Sequence, residues 1–325
     1  MKTIARMLHG SHLYGTNYEN SDEDVKEIFS MSVSELITGA SDCFRHTSPD
    51  DTEFFSLKKF AALLSQQQTN AIEMLFTPKE FILQTSPAWE ELRANKSRLV
   101  SKNIMPFVGY AKQQARLYSE KGNSYNMLKA LNKDFLAWYN NTKILFDTEA
   151  LEYVMGSKGL DQIIIDYPQL ISHGEKLSNN DQPIPYLQIL NKQFECFCPI
   201  NEWKERLQRM IDTYGERVKD AAANGAFDRK AMYHAIRITN EASELLETGN
   251  LIFPRPDNIL ILLRAVRFDE AVNFNKAQSW LENQYNHLME KALPNSKLQE
   301  TIDNNYLVSW FKHAQYESIK QELKM

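Results

Sequence analysis

Two short motifs near the N-terminus constrain the fold more than any other feature of this chain. Residues 10–15 read Gly-Ser-His-Leu-Tyr-Gly, and residues 21–26 read Ser-Asp-Glu-Asp-Val-Lys. Side chains two residues apart on a β-strand project from the same face, so Asp22 and Asp24 can both reach one cation or a pair of cations. Because glycine lacks a Cβ, a turn at Gly10 lets backbone N–H groups approach a phosphate. The motifs predict a nucleotide and metal site on a small sheet.

A third carboxylate is expected, because two metal ions must be held while a nucleotidyl group is transferred. Residues 50–53 read Asp-Asp-Thr-Glu and lead into a predicted strand. Asp51 and Glu53 would share one strand face, and either could bind metal or act as general base toward an acceptor hydroxyl. We favour Asp51 as the third catalytic and metal-binding residue. The alternative is that residues 50–53 form a solvent-exposed part of a hairpin after Pro49 and bind no metal.

Two residues inside the motifs are candidates for phosphate binding. Ser11 could donate to the β- and γ-phosphates through its hydroxyl or its backbone N–H, and a helix N-cap there is compatible with the same role. Lys26 is predicted on the strand face that carries Asp22 and Asp24. It would either neutralise a triphosphate oxygen or pair with Asp24 and reduce the repulsion between the acids.

A basic stripe is predicted far downstream. Lys230, His234 and Arg237 fall at positions i, i+4 and i+7 of a predicted helix over residues 228–248, so they share one face. Cations beside a titratable imidazole suit the binding of a phosphate or an acceptor across a cleft. A solvated helix face, paired with acids such as Glu241, is the alternative.

The composition is that of an ordinary globular protein. The chain is 43% hydrophobic and 24% charged. Its length of 325 residues is enough for two domains. A net charge of −5, with no long basic tract, argues against wrapping long nucleic acid but not against a local basic cleft. Cys43, Cys196 and Cys198 form neither a disulfide framework nor a zinc site. Without a signal-peptide pattern or an apolar run of about 20 residues, the protein is expected in the cytoplasm with no membrane partner.

The sequence predicts an α+β protein, with a small mixed-sheet domain over residues 1–84 and a mainly helical domain over residues 85–325. A β-hairpin is expected near residues 186–199, and residues 156–185 are predicted to be a loop insertion. The tryptophans are scattered at core-like positions, so their positions indicate no base-stacking platform. Helices are predicted over residues 57–76, 106–120, 126–146, 201–223, 228–248, 256–267, 269–291 and 299–323.

These motifs resemble the DNA polymerase β superfamily of nucleotidyltransferases, and among them the RlaP-like predicted nucleotidyltransferases associated with RNA repair. The shared features are the Gly-Ser and Asp-x-Asp motifs, residues 51–60, residues 70–76 and residues 230–237. The resemblance implies a two-strand site for Mg²⁺ (or Mn²⁺), an NTP donor, and a helical second domain that closes over the nucleotide.

We therefore predict a metal-dependent nucleotidyltransferase that moves an NMP from an NTP to an acceptor hydroxyl or phosphate and releases pyrophosphate. The predicted catalytic and metal-binding residues are Asp22, Asp24 and Asp51. The predicted nucleotide-binding residues are Gly10, Ser11, Lys26, Lys230, His234 and Arg237. The acceptor, an RNA end or a protein, and the oligomeric state stay open. The alternative is a catalytically inactive module of the same fold that binds a nucleotide or an RNA end.

Overall fold

The computed structural model describes residues 2–38, 45–47, 52–103, 105–146, 158–178, 180–195, 198–223 and 227–323. The chain forms two compact units. The first unit combines Met1–Ala115 with Arg229–Met325, and the second is Arg116–Asp228. The domain boundary predicted between residues 84 and 85 stays a prediction.

A five-stranded mixed sheet forms part of the first unit. Its strands are β1 (Lys2–Leu8), β2 (Val25–Ser30), β3 (Arg45–Thr47), β4 (Thr52–Ser56) and β5 (Ile82–Gln84), in the spatial order β3-β4-β2-β1-β5. β2 and β4 are parallel, and the other neighbouring strands are antiparallel. Val25 pairs with Thr52, so the N-terminal ends of these two parallel strands lie side by side. The predicted mixed sheet is confirmed.

The rest of the described chain is mostly helical, as predicted. The helices are α1 (Gly10–Tyr14), α2 (Val33–Ile37), α3 (Leu57–Ser65), α4 (Thr69–Phe76), α5 (Pro87–Ala94), α6 (Met105–Phe146), α7 (Lys158–Asp166), α8 (Ile200–Asp212), α9 (Glu216–Ala223), α10 (Arg229–Thr248), α11 (Asp257–Phe268), α12 (Phe274–His287), α13 (Leu293–Asn295) and α14 (Asn304–Glu322). Short 3₁₀ turns occupy Lys79–Phe81 and Lys96–Leu99, and a π-helical turn occupies Leu288–Ala292. No helix in the described part of the chain combines the length and apolarity needed to cross a membrane.

Aromatic packing joins three helices of the first unit. The ring of Phe60 on α3 lies 5.5 Å from that of Trp89 on α5 and 6.3 Å from that of Trp310 on α14. All three side chains are fully buried. Edge-to-face contacts at this spacing stabilise a core beyond the gain from burial alone.

The single helix predicted over residues 57–76 is wrong, because the structure contains two helices separated at Gln67. This residue has a positive φ of 54°. Its buried side chain donates to the carbonyls of Leu64 (2.9 Å) and Leu99 (3.0 Å) and accepts from the N–H of Ser101 (3.0 Å). A buried amide that satisfies three backbone groups compensates for interrupting the helix.

The second unit contains a three-stranded antiparallel sheet, β6 (Ile171–Leu177), β7 (Pro183–Ile189) and β8 (Lys192–Glu195). The predicted hairpin is present as β7 and β8, which join through a two-residue turn at Leu190 and Asn191. The loop predicted over residues 156–185 is wrong in its described part, which contains α7 and β6. Leu170 and Ile171 there belong to the buried core of the unit, so this segment packs in spite of its polar composition.

Residues 121–124 read Lys-Gly-Asn-Ser, a turn signal that predicted a break between the helices over residues 106–120 and 126–146. This prediction is also wrong, because α6 continues through these residues. Burial recurs every three or four residues along this part of the helix, at Gly122, Tyr125, Leu128, Leu131, Phe135 and Tyr139. A buried stripe with this spacing favours a continuous helix over the local turn signal.

Candidate active site

A cavity of about 370 Å³ lies in the first unit. Its lining includes six of the nine predicted site residues: Gly10, Ser11, Asp22, Asp24, Lys230 and His234. The first four come from the N-terminal motifs, and the last two come from α10, more than 200 residues later. This volume is in the range of small-molecule sites, about 300–1,000 Å³.

The two acids lie just before β2 and not on it, since the strand begins at Val25. The pairing with β1 nevertheless extends to Asp24, whose carbonyl accepts a hydrogen bond of 2.8 Å from the N–H of His9. The strand placement predicted for Asp22 and Asp24 is therefore wrong. Asp22 lies in the loop that leads into β2, and Asp24 lies where the pairing between β1 and β2 ends. This placement brings both side chains to one cavity.

Gly10 and Asp24 are in direct contact. Gly10 has a φ of +60°, and a Cβ at this position would lie 1.8 Å from Oδ2 of Asp24. Only glycine therefore leaves room for this carboxylate in its present orientation. The glycine of the first motif positions an acid of the second.

Hydrogen bonds hold the loop that connects the two motifs. The carbonyl of Ser11 accepts from the N–H groups of Thr16 (3.0 Å) and Asn17 (3.2 Å). The N–H of Tyr18 donates to Oγ of Ser21, and the N–H of Ser21 donates to the carbonyl of Tyr18, both at 2.9 Å. The loop therefore presents Ser11, Ser21 and Asp22 from a defined backbone.

Asp51, the predicted third carboxylate, lies outside the described residues. Its chain neighbour Thr52 is described and pairs with Val25, the residue after Asp24. In the described part of the chain, no group of three or more His, Cys, Asp or Glu side chains is arranged to hold a metal ion. The role of Asp51 stays a prediction.

Lys26 does not line the cavity. It is buried, and its Nζ lies 3.5 Å from Oε2 of Glu53, which stands directly opposite on β4. The ammonium also lies 5.8 Å from the centroid of the Phe55 ring. The structure thus pairs Lys26 with Glu53, the alternative third carboxylate, and a role for Lys26 at the triphosphate stays a prediction.

Arg237 is separated from the other two residues of the predicted basic stripe. It is 4% exposed and does not line the cavity. Its Nη1 donates to Glu73 on α4 and to both carboxylate oxygens of Glu241, at 2.8 and 3.0 Å. The guanidinium also lies 3.8 Å from the centroid of the Tyr14 ring. The continuous phosphate-binding face predicted for the stripe is therefore not formed, because buried carboxylates engage its last member.

His9, Tyr14, Glu73, Arg237 and Glu241 form a buried cluster, which we call the ionic cluster. Nε2 of His9 lies 3.1 Å from Oε2 of Glu73, and the Tyr14 hydroxyl donates to the same oxygen at 2.9 Å. Burial and the nearby Lys26 lower the pKa of His9 to about 4, so its imidazole is neutral at pH 7.

The two carboxylates of the ionic cluster differ in their pKa values. Burial would raise the pKa of Glu73, but Arg237 and His9 hold it well below its usual range. Burial raises the pKa of Glu241 to about 8 in spite of Arg237. Because two carboxylates share one guanidinium, a proton on Glu241 balances the charge at neutral pH.

Several residues that line the cavity were not found from the sequence. Arg264, Arg267 and Phe268 come from α11, Tyr18 from the loop between the motifs, and Tyr233 from α10. Nη2 of Arg264 donates to the carbonyl of Gly15 at 3.0 Å, and the hydroxyls of Tyr233 and Thr16 share a hydrogen bond of 2.8 Å. The sequence did contain a signal, because Arg264 and Arg267 are spaced i, i+3 and are the only polar residues between positions 259 and 268.

The donor set of the cavity fits a divalent cation and a polyphosphate. Asp22 and Asp24 supply hard carboxylate oxygens, and Mg²⁺ is usually bound by one or two carboxylates together with substrate phosphates. Lys230, Arg264 and Arg267 supply cationic donors, the groups that bind phosphate. The same cavity can thus accommodate both the cation and the negatively charged phosphates of a metal–nucleotide complex.

Comparisons with known proteins give one family match and one relative. Residues 1–132 match the family model described as RlaP, RNA repair pathway DNA polymerase beta family. The chain is also similar to an uncharacterized 38.9 kDa protein of Enterobacteria phage T4, from the nrdC–mobD intergenic region. The two are 26% identical over 353 aligned residues, and the alignment covers 100% of both chains. No solved structure matches the chain significantly.

Proposed function

We propose, on the premise that residues 1–132 belong to the RNA repair pathway DNA polymerase beta family, that this protein is a metal-dependent nucleotidyltransferase. The observation that carries the proposal is the cavity that contains Asp22 and Asp24 beside Gly10. Cationic side chains from α10 and α11 line the same cavity. In the proposed reaction, an NMP moves from an NTP to an acceptor, and pyrophosphate leaves.

Asp22, Asp24 and Asp51 are proposed to hold the metal. Support for Asp51 comes from the register of the parallel strands, since Thr52 pairs with Val25 and each of these residues directly follows one of the acids. When bound, Mg²⁺ would neutralise charge that develops on the transferred phosphate and on the leaving pyrophosphate. Two-metal sites of this kind need closely spaced carboxylates.

The other residues of the cavity are proposed to bind and orient the donor. Gly10 lets the carboxylate of Asp24 lie against the backbone. Lys230, Arg264 and Arg267 would contact phosphate oxygens as charged donors, and His234 lines the same cavity. As an acceptor oxygen attacks the α-phosphorus, the bond from phosphorus to the pyrophosphate oxygen breaks. A carboxylate, for which we propose Asp51, takes the hydroxyl proton.

We propose an RNA end as the acceptor, because the matched family is described as part of an RNA repair pathway. A protein hydroxyl is the other candidate, and the two are separated by the acceptor that becomes labelled. Incubation with an α-³²P-labelled NTP, Mg²⁺ and single-stranded RNA should transfer label to the RNA and release unlabelled pyrophosphate.

The test of the site uses three variants. Asp22→Asn and Asp24→Asn should each reduce transfer by at least about 100-fold, because a metal supplies several kcal/mol of charge stabilisation. Glu23→Gln is the matched control, since Glu23 is exposed between the two acids and does not line the cavity. Undiminished transfer in both Asn variants would reject the proposed site. Nucleotide binding by the wild type without any transfer would favour the inactive binding module.

A further inference from the structure

Two large aromatic side chains lie exposed at the cavity. Tyr18 is 58% and Phe268 is 56% exposed, and both line the cavity that contains Asp22 and Asp24. Their ring centroids are 5.9 Å apart with an interplanar angle of 82°, an edge-to-face contact. The pair joins a loop of the N-terminal motifs to the last residue of α11, 250 positions away in sequence.

Core packing does not explain this pair. Phe60 and Trp89 have a similar edge-to-face geometry, with centroids 5.5 Å apart, and both rings are fully buried. Tyr18 and Phe268 make the same kind of contact but leave more than half of each side chain to solvent. Exposed aromatic surface beside a polar cavity is typical of a ligand-binding site.

The surroundings of the pair are polar and cationic. The guanidinium of Arg267 lies 5.9 Å from the ring centroid of Phe268 and 5.9 Å from that of Tyr233. The two hydrogen bonds between Tyr18 and Ser21 hold the backbone of the loop. Aromatic side chains next to a cation suit a ligand with a flat ring and an attached phosphate.

We propose that Tyr18 and Phe268 form a stacking platform for an unpaired nucleobase, supplied by the NTP donor or by the terminal nucleotide of an RNA acceptor. The proposal rests on the proposed function in one respect, that the cavity is a nucleotide site. Every base has a π-face, so stacking tolerates all four bases. The platform should therefore bind each base with similar affinity.

Two fluorescent probes separate the two sources of the base. The first is the α,β-methylene triphosphate of 2-aminopurine riboside, whose α-phosphorus–carbon bond prevents transfer. The second is a short single-stranded RNA with 2-aminopurine at its 3′ end. Stacking quenches 2-aminopurine, so quenching of the first probe indicates the donor base and quenching of the second indicates the acceptor base.

The variants remove the rings one at a time and then together. Tyr18→Ala, Phe268→Ala and the double variant should weaken binding of one probe by about 5- to 100-fold and abolish its quenching. Tyr18→Phe and Phe268→Tyr should retain both properties. Ile261→Ala is the matched control, because Ile261 is 70% exposed on the same helix and does not line the cavity. Inorganic tripolyphosphate, which carries no base, should bind all variants about equally.

The outcomes distinguish this inference from the proposed function. If the double variant binds both probes as the wild type does, the platform is wrong even when transfer is observed. If the wild type binds neither probe, the platform is also wrong. If the platform binds a probe but the wild type transfers no label, the inference stands and the proposed function fails.

Discussion

The open cavity and the ionic cluster both bring charges from the N-terminal region together with α10, yet they differ in their access to water. Lys230 and His234 line the cavity, whereas Arg237 and Glu241, one to three turns further along the same helix, are buried. Charges in the cavity are accessible to a ligand. Charges in the cluster are satisfied by one another, since a buried ion is costly unless it is paired.

Tyr14 connects the two regions. It lines the cavity, its hydroxyl donates to Glu73, and the guanidinium of Arg237 lies 3.8 Å from its ring centroid. The backbone carbonyl of Tyr14 also accepts from the N–H of Arg255 at 3.0 Å. The comparison indicates that the cluster stabilises and positions the wall of the cavity, while the cavity carries the groups that we propose to bind the ligand. The predictions below test this division, beginning with the largest expected effect.

Arg237→Met should lower the free energy of unfolding by about 3–5 kcal/mol, because it leaves Glu73 and Glu241 buried without their cation. Urea denaturation followed by circular dichroism measures the change. Arg98→Met is the matched control, since Arg98 pairs with Asp303 at 2.6 Å but its side chain is 47% exposed. The control should lose far less stability. Similar losses in the two variants would contradict the distinction between buried and open charges.

The pH dependence of stability should report on Glu241, whose pKa is raised to about 8 by burial against the opposing effect of Arg237. Above its ordinary value of 4.5, the unfolded chain loses this proton while the folded protein keeps it. The free energy of unfolding should therefore fall as the pH rises toward 8, by up to about 1.4 kcal/mol per pH unit.

The effect of Glu241 on stability is best measured in the window from pH 6.5 to 8. The pKa of His9 falls from 6.5 to about 4, so His9 increases stability with rising pH below that window, and its effect levels off as the pH rises above 6.5. Thermal melts across the window should decline for the wild type and stay flat for Glu241→Gln. A wild-type profile as flat as that of the variant would show that Glu241 is ionised throughout.

Gly10→Ala should cost about 1–2 kcal/mol of stability through its positive φ, and it should displace the carboxylate of Asp24. Gly249→Ala has the same backbone strain at a φ of +70°, but its Cβ would meet Leu298 at an ordinary 3.6 Å. Transfer should fall about 100-fold in the first variant only, because small displacements of catalytic groups are costly. Equal transfer rates in the two variants would show that Gly10 is not needed to position Asp24.

Magnesium should produce the smallest effect. At ten times its dissociation constant, Mg²⁺ should stabilise the folded protein by about 1.4 kcal/mol, which raises the melting temperature. Asp22→Asn should lose this shift, whereas the exposed control Glu23→Gln should retain it. A shift that persists in Asp22→Asn would show that Asp22 does not bind the metal.

Local motifs were sufficient to predict the sheet and part of the candidate site. The Gly-Ser and Asp-x-Asp motifs predicted Gly10 and Asp24 in one site, and the structure shows the two residues in contact. Helical periodicity predicted Lys230, His234 and Arg237 on one face, but only Lys230 and His234 line the cavity, and Arg237 is buried. Local signals failed where packing overrode them, as in the helix break at Gln67 and in the continuous helix through Gly122.

The sequence by itself determined which residue types could carry the chemistry, because the spacing of neighbouring residues depends on strand and helix geometry alone. Only the tertiary structure decided which charges face water. Arg237 and Glu73 are 164 positions apart, and Tyr18 and Phe268 are 250 apart. No local periodicity encodes such pairings, since they arise when distant segments pack and exclude solvent between them.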